Sequence, residues 1–133
     1  MRYILFFLTF LGCIIGTVIL ISSCSSNEAN YVSYTQDIDP IFKTSCTPCH
    51  LTEDASNNNL NLSSYSTLMA GDSYNGPVVI PGDADHSLLY EAVSKPTEEQ
   101  SRLSGRMPFG LNPLSAIQIN QIEDWINQGA KDN

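Results

Sequence analysis

Five consecutive residues, Cys46-Thr47-Pro48-Cys49-His50, constrain this chain more than any other stretch. They read C-x-x-C-H. Two thiols three positions apart can each add across a vinyl group on the edge of one porphyrin. The imidazole of the next residue then lies under the iron as its proximal ligand. Other chemistries use parts of the pattern. A structural zinc site wants four protein ligands, yet the only other histidine is His86. A thioredoxin-like C-x-x-C wants a strand–helix setting, and Pro40–Cys46 does not read that way. The motif therefore favours one covalently attached haem c, through Cys46 and Cys49, over a zinc or redox site.

The first 23 residues read as a targeting segment. Arg2 and the amino terminus form a small positive region, and Tyr3–Ile21 is uncharged and almost wholly apolar. Ile21-Ser22-Ser23-Cys24 resembles the lipobox of a bacterial lipoprotein signal peptide, which implies cleavage before Cys24 and a diacylglycerol on its thiol. The alternative is an uncleaved anchor, since the stretch is nearly long enough to span a bilayer. Both readings expect an exported, membrane-tethered protein, on the periplasmic side or at the cell surface. The cysteines are then accounted for. Cys13 leaves with the segment, Cys24 carries lipid, and Cys46 and Cys49 take the haem, which leaves no thiol for a structural disulfide. Residues 24–33 read as a polar tether and residues 34–133 as one domain.

Charge narrows the partners. All 14 acidic residues lie after position 24, with five of the six basic ones, so cleavage there leaves about −9. That argues against nucleic acid and against direct binding to an anionic membrane surface. It suits redox protein partners that carry a basic docking patch, and equally an ordinary soluble acidic surface.

Periodicity predicts helices. Ile38, Ile41 and Phe42 make one apolar stripe over Tyr34–Ser45, with Pro40 in the first turn and Asp37 or Asp39 as cap. Leu51–Leu62 is polar and reads as a loop. Ser63 or Ser64 caps a short helix over Tyr65–Ala70, stopped by Gly71, with Met69 packing in the core. Val78-Val79-Ile80, between Pro77 and Pro81, reads as a strand-like segment without an evident pairing partner. A helix then starts near Asp85, with Leu88, Leu89, Ala92 and Val93 buried and His86 exposed in its first turn. Lys95–Gly105 is irregular. Ser115–Gly129 is the clearest helix. Ser115 and Gln118 form a capping box, Ile119, Ile122 and Ile126 form the stripe with Trp125 beside it, and Gly129 ends it.

From about Tyr34 to Ala130 the chain resembles a bacterial cytochrome c domain of the type found in planctomycete proteins. The resemblance rests on Asp39-Pro40-Ile41-Phe42 before the C-x-x-C-H motif, Leu62-Ser63-Ser64-Tyr65, Gly76-Pro77-Val78-Val79-Ile80-Pro81-Gly82-Asp83, Ser87-Leu88-Leu89-Tyr90, Met107-Pro108, and Asp124-Trp125-Ile126-Asn127-Gln128-Gly129-Ala130. It implies a small all-α cytochrome c-like domain wrapped around the haem. The first and last helices would cross near the haem edge, with Phe42 and Trp125 as the contact. It implies His50 as proximal and Met107 as distal iron ligand. His86 departs from the pattern and leaves a bis-histidine site open.

Met107 also has physical support as the distal ligand. The chain between it and His50 is long enough to wrap to the other haem face, and Pro108 stiffens the loop presenting the sulfur. Met69, His86 and an open site are the alternatives. With His50 and Met107 both on iron, the expected role is single-electron transfer rather than catalysis. With an open distal site the expected role is a gas sensor or a peroxidase-like domain. A third reading is a haem-free metal or interaction module.

Overall fold

The computed structural model describes residues 31–52, 60–73, 75–95, 103 and 105–133. The targeting segment, Cys24 and most of the tether lie outside the described residues.

The first helix spans Tyr34–Ser45 as its pattern suggests, but its start is wound more loosely. Tyr34–Ile38 is π-helical and runs into α1, Asp39–Ser45. The cap is Ser33, not Asp37 or Asp39. Its Oγ accepts from the Gln36 N–H at 3.2 Å, while Asp37 Oδ2 accepts from the Ser33 N–H at 2.8 Å. Pro40 explains the wide first turn. It has no N–H to give to Gln36, so the Asp39 N–H reaches back five residues to the Tyr34 carbonyl. The predicted stripe holds, with Ile38, Ile41 and Phe42 all buried.

α2, Tyr65–Met69, starts at a capping box between Ser64 and Thr67. Two short strands follow, β1 (Asp72–Ser73) and β2 (Gly76–Pro77), paired antiparallel with Asp72 opposite Pro77. Strand pairing thus stops just before Val78 and Val79, which turn into the core. The fold is mostly helical with a small sheet, rather than wholly helical. A two-residue ladder forms because Gly71 and Gly76 flank a tight reversal; a Cβ on Gly71 would meet the Leu68 carbonyl at 2.9 Å.

α3 spans Leu88–Ser94. It starts later than its aspartates suggest, because Ser87 is fully buried and committed elsewhere. Ser87 Oγ accepts from the Ile80 N–H at 2.8 Å and donates to the Asp83 carbonyl at 2.7 Å. That holds Ser87 in an extended conformation, so helical geometry begins one residue on. Asp83 caps the preceding turn by accepting from the His86 N–H at 3.2 Å. Glu91, not Ala92, joins Leu88, Leu89 and Val93 on the buried face.

α4, Ala116–Asn127, is as its sequence predicts, including the Ser115–Gln118 capping box. Gly129 takes φ +100°, which glycine alone adopts without penalty, and Ala130 follows at φ +48° with its N–H on the Trp125 carbonyl. α4 packs against Tyr34–Ile38 and against α3. Phe42 and Trp125 are both fully buried, but the ring standing against each is Tyr34, at 6.4 Å from Phe42 and 5.6 Å from Trp125. Tyr65 closes the cluster 5.2 Å from Tyr34, and its hydroxyl donates to the Ala130 carbonyl at 2.8 Å. Among the described residues no helix is long and apolar enough to cross a membrane.

Three substitutions rank these contacts. Trp125→Ala should cost about 3–5 kcal/mol, the usual penalty for emptying a buried aromatic site. Ser87→Ala should cost about 1–3 kcal/mol, because the Ile80 N–H loses its acceptor in the interior. Ser115→Ala should cost about 1 kcal/mol of capping. Urea unfolding of the three variants checks the order, and a Ser87→Ala penalty below that of Ser115→Ala would contradict the buried-network account.

Candidate functional site

The C-x-x-C-H motif is built onto the end of α1. The Cys46 and Thr47 N–H groups both donate to the Phe42 carbonyl at 2.9 Å. The Cys49 and His50 N–H groups both donate to the Cys46 carbonyl, at 3.1 and 3.0 Å, and Thr47 Oγ1 donates to the Lys43 carbonyl at 3.2 Å. A short helix leaves its last carbonyls without partners of its own; here the motif supplies them. The exit is pinned as well, because the Leu62 N–H donates to the His50 carbonyl at 2.8 Å. The five residues form a bonded turn rather than a loose loop.

The two thiols sit in different surroundings. Cys46 is half-buried against the hydrophobic core, and burial pushes its thiol up to about 11. Cys49 is exposed. His50 is half-buried, and its Nδ1 is a buried atom with no hydrogen-bond partner among the described residues. Buried polar atoms are rarely left this way, and here the ring belongs to a residue expected to bind iron.

Met107 is half-buried and packs against the same core as Cys46. Its N–H donates at 2.7 Å to the carbonyl of Ala92, in the last turn of α3. That carbonyl has no acceptor role within its own short helix, so the end of α3 fixes the backbone that presents Met107. Beyond Pro108 the chain turns outward: Phe109 is 78% exposed and Gly110 takes φ +72°. Met69 packs against the core, in line with a packing role. His86 is a surface residue, its side chain 74% exposed and its Nδ1 2.8 Å from Asp83 Oδ2, and that hydrogen bond holds the Asp83 carboxyl below its usual range. Cys24 lies outside the described residues.

The donors suit a haem. Two thiols and an imidazole stand on one bonded turn, and a thioether borders the same apolar core as Cys46. Among the described residues no three His, Cys, Asp or Glu side chains gather as a metal ion held by protein alone would need.

Sequence reasoning missed two contributors. Tyr34 received no role, although Tyr34, Ile38, Ile41 and Phe42 continue one stripe at helical spacing. Glu91, buried with its Oε2 3.7 Å from Lys95 Nζ, lies outside the apolar stripe read for its helix. Only its i, i+4 spacing to Lys95 hinted at the pair.

The unequal thiols give a direct test. In folded chain carrying no modification at either cysteine, iodoacetamide at neutral pH should label Cys49 well before Cys46, since burial both hides Cys46 and disfavours its thiolate. Peptide mass spectrometry over time reads the order; equal rates would contradict the burial of Cys46.

Residues 46–108 match the family described as planctomycete cytochrome C. The match starts at the first motif cysteine and ends at the proline after Met107. Among solved structures, a match is Kuenenia stuttgartiensis hydrazine synthase, at 25% identity and a TM-score of 0.49, covering 74% of this chain. This chain spans only 16% of that one. No curated protein sequence matches. That match supports a planctomycete-type cytochrome c domain from the first motif cysteine to Pro108, a family that implies haem c.

Proposed function

We propose that this protein is a membrane-tethered monohaem c-type cytochrome that carries single electrons between redox partners outside the cytoplasm. The observation that carries the reading is the bonded turn at the end of α1. It presents one core-seated thiol, one exposed thiol and an imidazole whose buried nitrogen has no partner among the described residues. In this reading Cys46 and Cys49 form the two thioether links, and His50 is the proximal ligand. Met107 is the distal ligand.

When bound, haem c supplies a one-electron couple at iron. The polypeptide does the rest. The helix-end hydrogen bonds hold the thiols at fixed spacing. The anchor from Met107 N–H to Ala92 keeps the thioether close to its working place before any metal bond forms, which limits rearrangement between oxidation states. A thioether is a soft ligand and favours ferrous iron. Sulfur on the distal side also closes the site to substrate, so the protein acts as a carrier rather than as an enzyme.

The tether belongs to the same reading. Residues 1–23 act as a lipoprotein-type signal peptide, Cys24 carries the lipid, residues 24–33 span to the surface, and residues 34–133 form the domain. A lipid chain would keep an acidic domain near the bilayer despite its charge. The acidic surface favours partners with a basic docking patch, whose attraction weakens as salt rises.

The decisive measurement is the visible spectrum of ferric protein made in a host that matures c-type haem. A low-spin spectrum with the weak long-wavelength band of a methionine–iron bond is expected. A high-spin spectrum with rapid carbon monoxide binding would move the reading to a gas sensor or peroxidase-like domain.

Two sets of variants test the ligands. Met107→Ala should abolish the long-wavelength band and lower the reduction potential, while His86→Ala should leave both unchanged; the opposite pattern would assign the distal site to His86. Cys46→Ala and Cys49→Ala should each reduce the haem that stays with the chain after acid–acetone extraction. Full retention in both would sink the thioether assignment.

A further inference from the structure

We propose that the outer face at the start of α4, around Leu111 and Ile117, is where a redox protein docks, and that this partner brings an apolar face ringed by lysines or arginines. The inference rests on the electron-carrier reading above. Among the described residues five large hydrophobic side chains are exposed, and Phe109, Leu111 and Ile117 are three of them. Leu111 is 57% and Ile117 72% exposed. Single exposed hydrophobics are ordinary on a surface, whereas a cluster of them marks a contact site. At 100° per residue, Ile117 stands on the opposite side of α4 from the buried Ile122 and Ile126. A group held against the core therefore leaves Ile117 open.

Charge decides what fits there. The chain carries 14 acidic and 6 basic residues, yet residues 107–122 contain neither. Asn120 and Asp124 continue the face of Ile117 along α4, and both are exposed. The patch thus has an acidic rim about 10 Å from Ile117, seven residues along the helix. An apolar centre with a polar rim is the usual build of a protein contact, and a basic rim on the partner complements Asp124. A second copy would bring the same acidic rim and be repelled. In the tethered reading the chain enters the domain at the far end of α4, where the Val32 N–H donates to Gln128 Oε1 at 2.9 Å. That point is about 16 Å along the helix from Ile117, so the patch is left to a partner arriving from solution. Met107 lies two positions before Phe109, so docking here brings the partner near the proposed distal ligand.

Transfer across this contact moves one electron from ferrous iron of this protein to the partner's oxidised centre, with no bond made or broken. The test uses the full chain, matured with covalent haem and reduced, in detergent. The probe is an oxidised blue-copper protein whose apolar face is ringed by lysines, and stopped-flow bleaching of its blue band reads the rate. A double variant, Leu111→Gln with Ile117→Gln, keeps the charge and spares the core. It should reduce the probe about tenfold more slowly, as expected when apolar anchors leave the centre of an interface. Its reduction potential, its rate with hexacyanoferrate(III) and the steepness of its salt dependence should match those of the unmodified protein. An unchanged rate with the probe would overturn the proposal. So would a dimer of the unmodified protein that the variant fails to form, which would assign the patch to a second copy. Loss of reactivity with the probe on moving the unmodified protein from detergent into phosphatidylcholine vesicles would assign it to lipid and overturn it too. These three results leave the carrier reading standing. If hexacyanoferrate(III) fails to oxidise the reduced protein, or no haem stays with the denatured chain, that reading itself fails.

Discussion

Phe42 joins the core to the site. Its ring is fully buried beside Tyr34, and its carbonyl accepts the first two N–H groups of the Cys46-Thr47-Pro48-Cys49-His50 turn. Packing of one side chain thus fixes where the motif's backbone starts. The dependence also runs through Tyr34, which meets Phe42, Trp125 and Tyr65. A small domain buries a limited apolar area for its length, so few contacts bear much of the orientation. Losing an aromatic ring from this cluster would loosen both the helix pairing and the aim of the motif.

The Met107 backbone is organised by a helix end rather than by aromatic packing. α3 stops at Ser94, and its Ala92 carbonyl takes the Met107 N–H. α3 is itself placed by Ser87, whose buried hydroxyl ties Ile80 and Asp83, and by the Leu89 N–H on the Val78 carbonyl at 2.9 Å. The segment from Val78 to Ser87 is therefore a brace, and its valines fill the core below it. Two sets of backbone bonds, at the ends of α1 and α3, thus position the motif and Met107 independently.

Much of this was legible along the chain. Ser115, Gln118, Ile122, Ile126 and Gly129 specify α4 with its cap and its end, and the structure has them in those roles. Capping and periodicity act over one or two turns, so a linear reading captures them. The start of α3 was not legible in that way. Asp83 and Asp85 look like caps, yet the decisive residue is Ser87, whose hydroxyl bonds appear only once Ile80 lies beside it. The small sheet was hidden for the same reason, since a two-residue ladder has no periodicity of its own.

The candidate site divides along the same line. Cys46, Cys49 and His50 are named by spacing alone, because attachment to one porphyrin demands that spacing whatever surrounds it. Met107 was marked by its proline and by family likeness, whereas its anchor on Ala92 needed the folded chain. The half-burial of Cys46, the exposure of Cys49 and the burial of His50 Nδ1 belong to tertiary structure entirely. The sequence by itself determined which chemical groups stand together on one turn, since covalent order sets that. Only the fold decided which of them face the core and which find hydrogen-bond partners, because burial and acceptors come from residues distant in the chain.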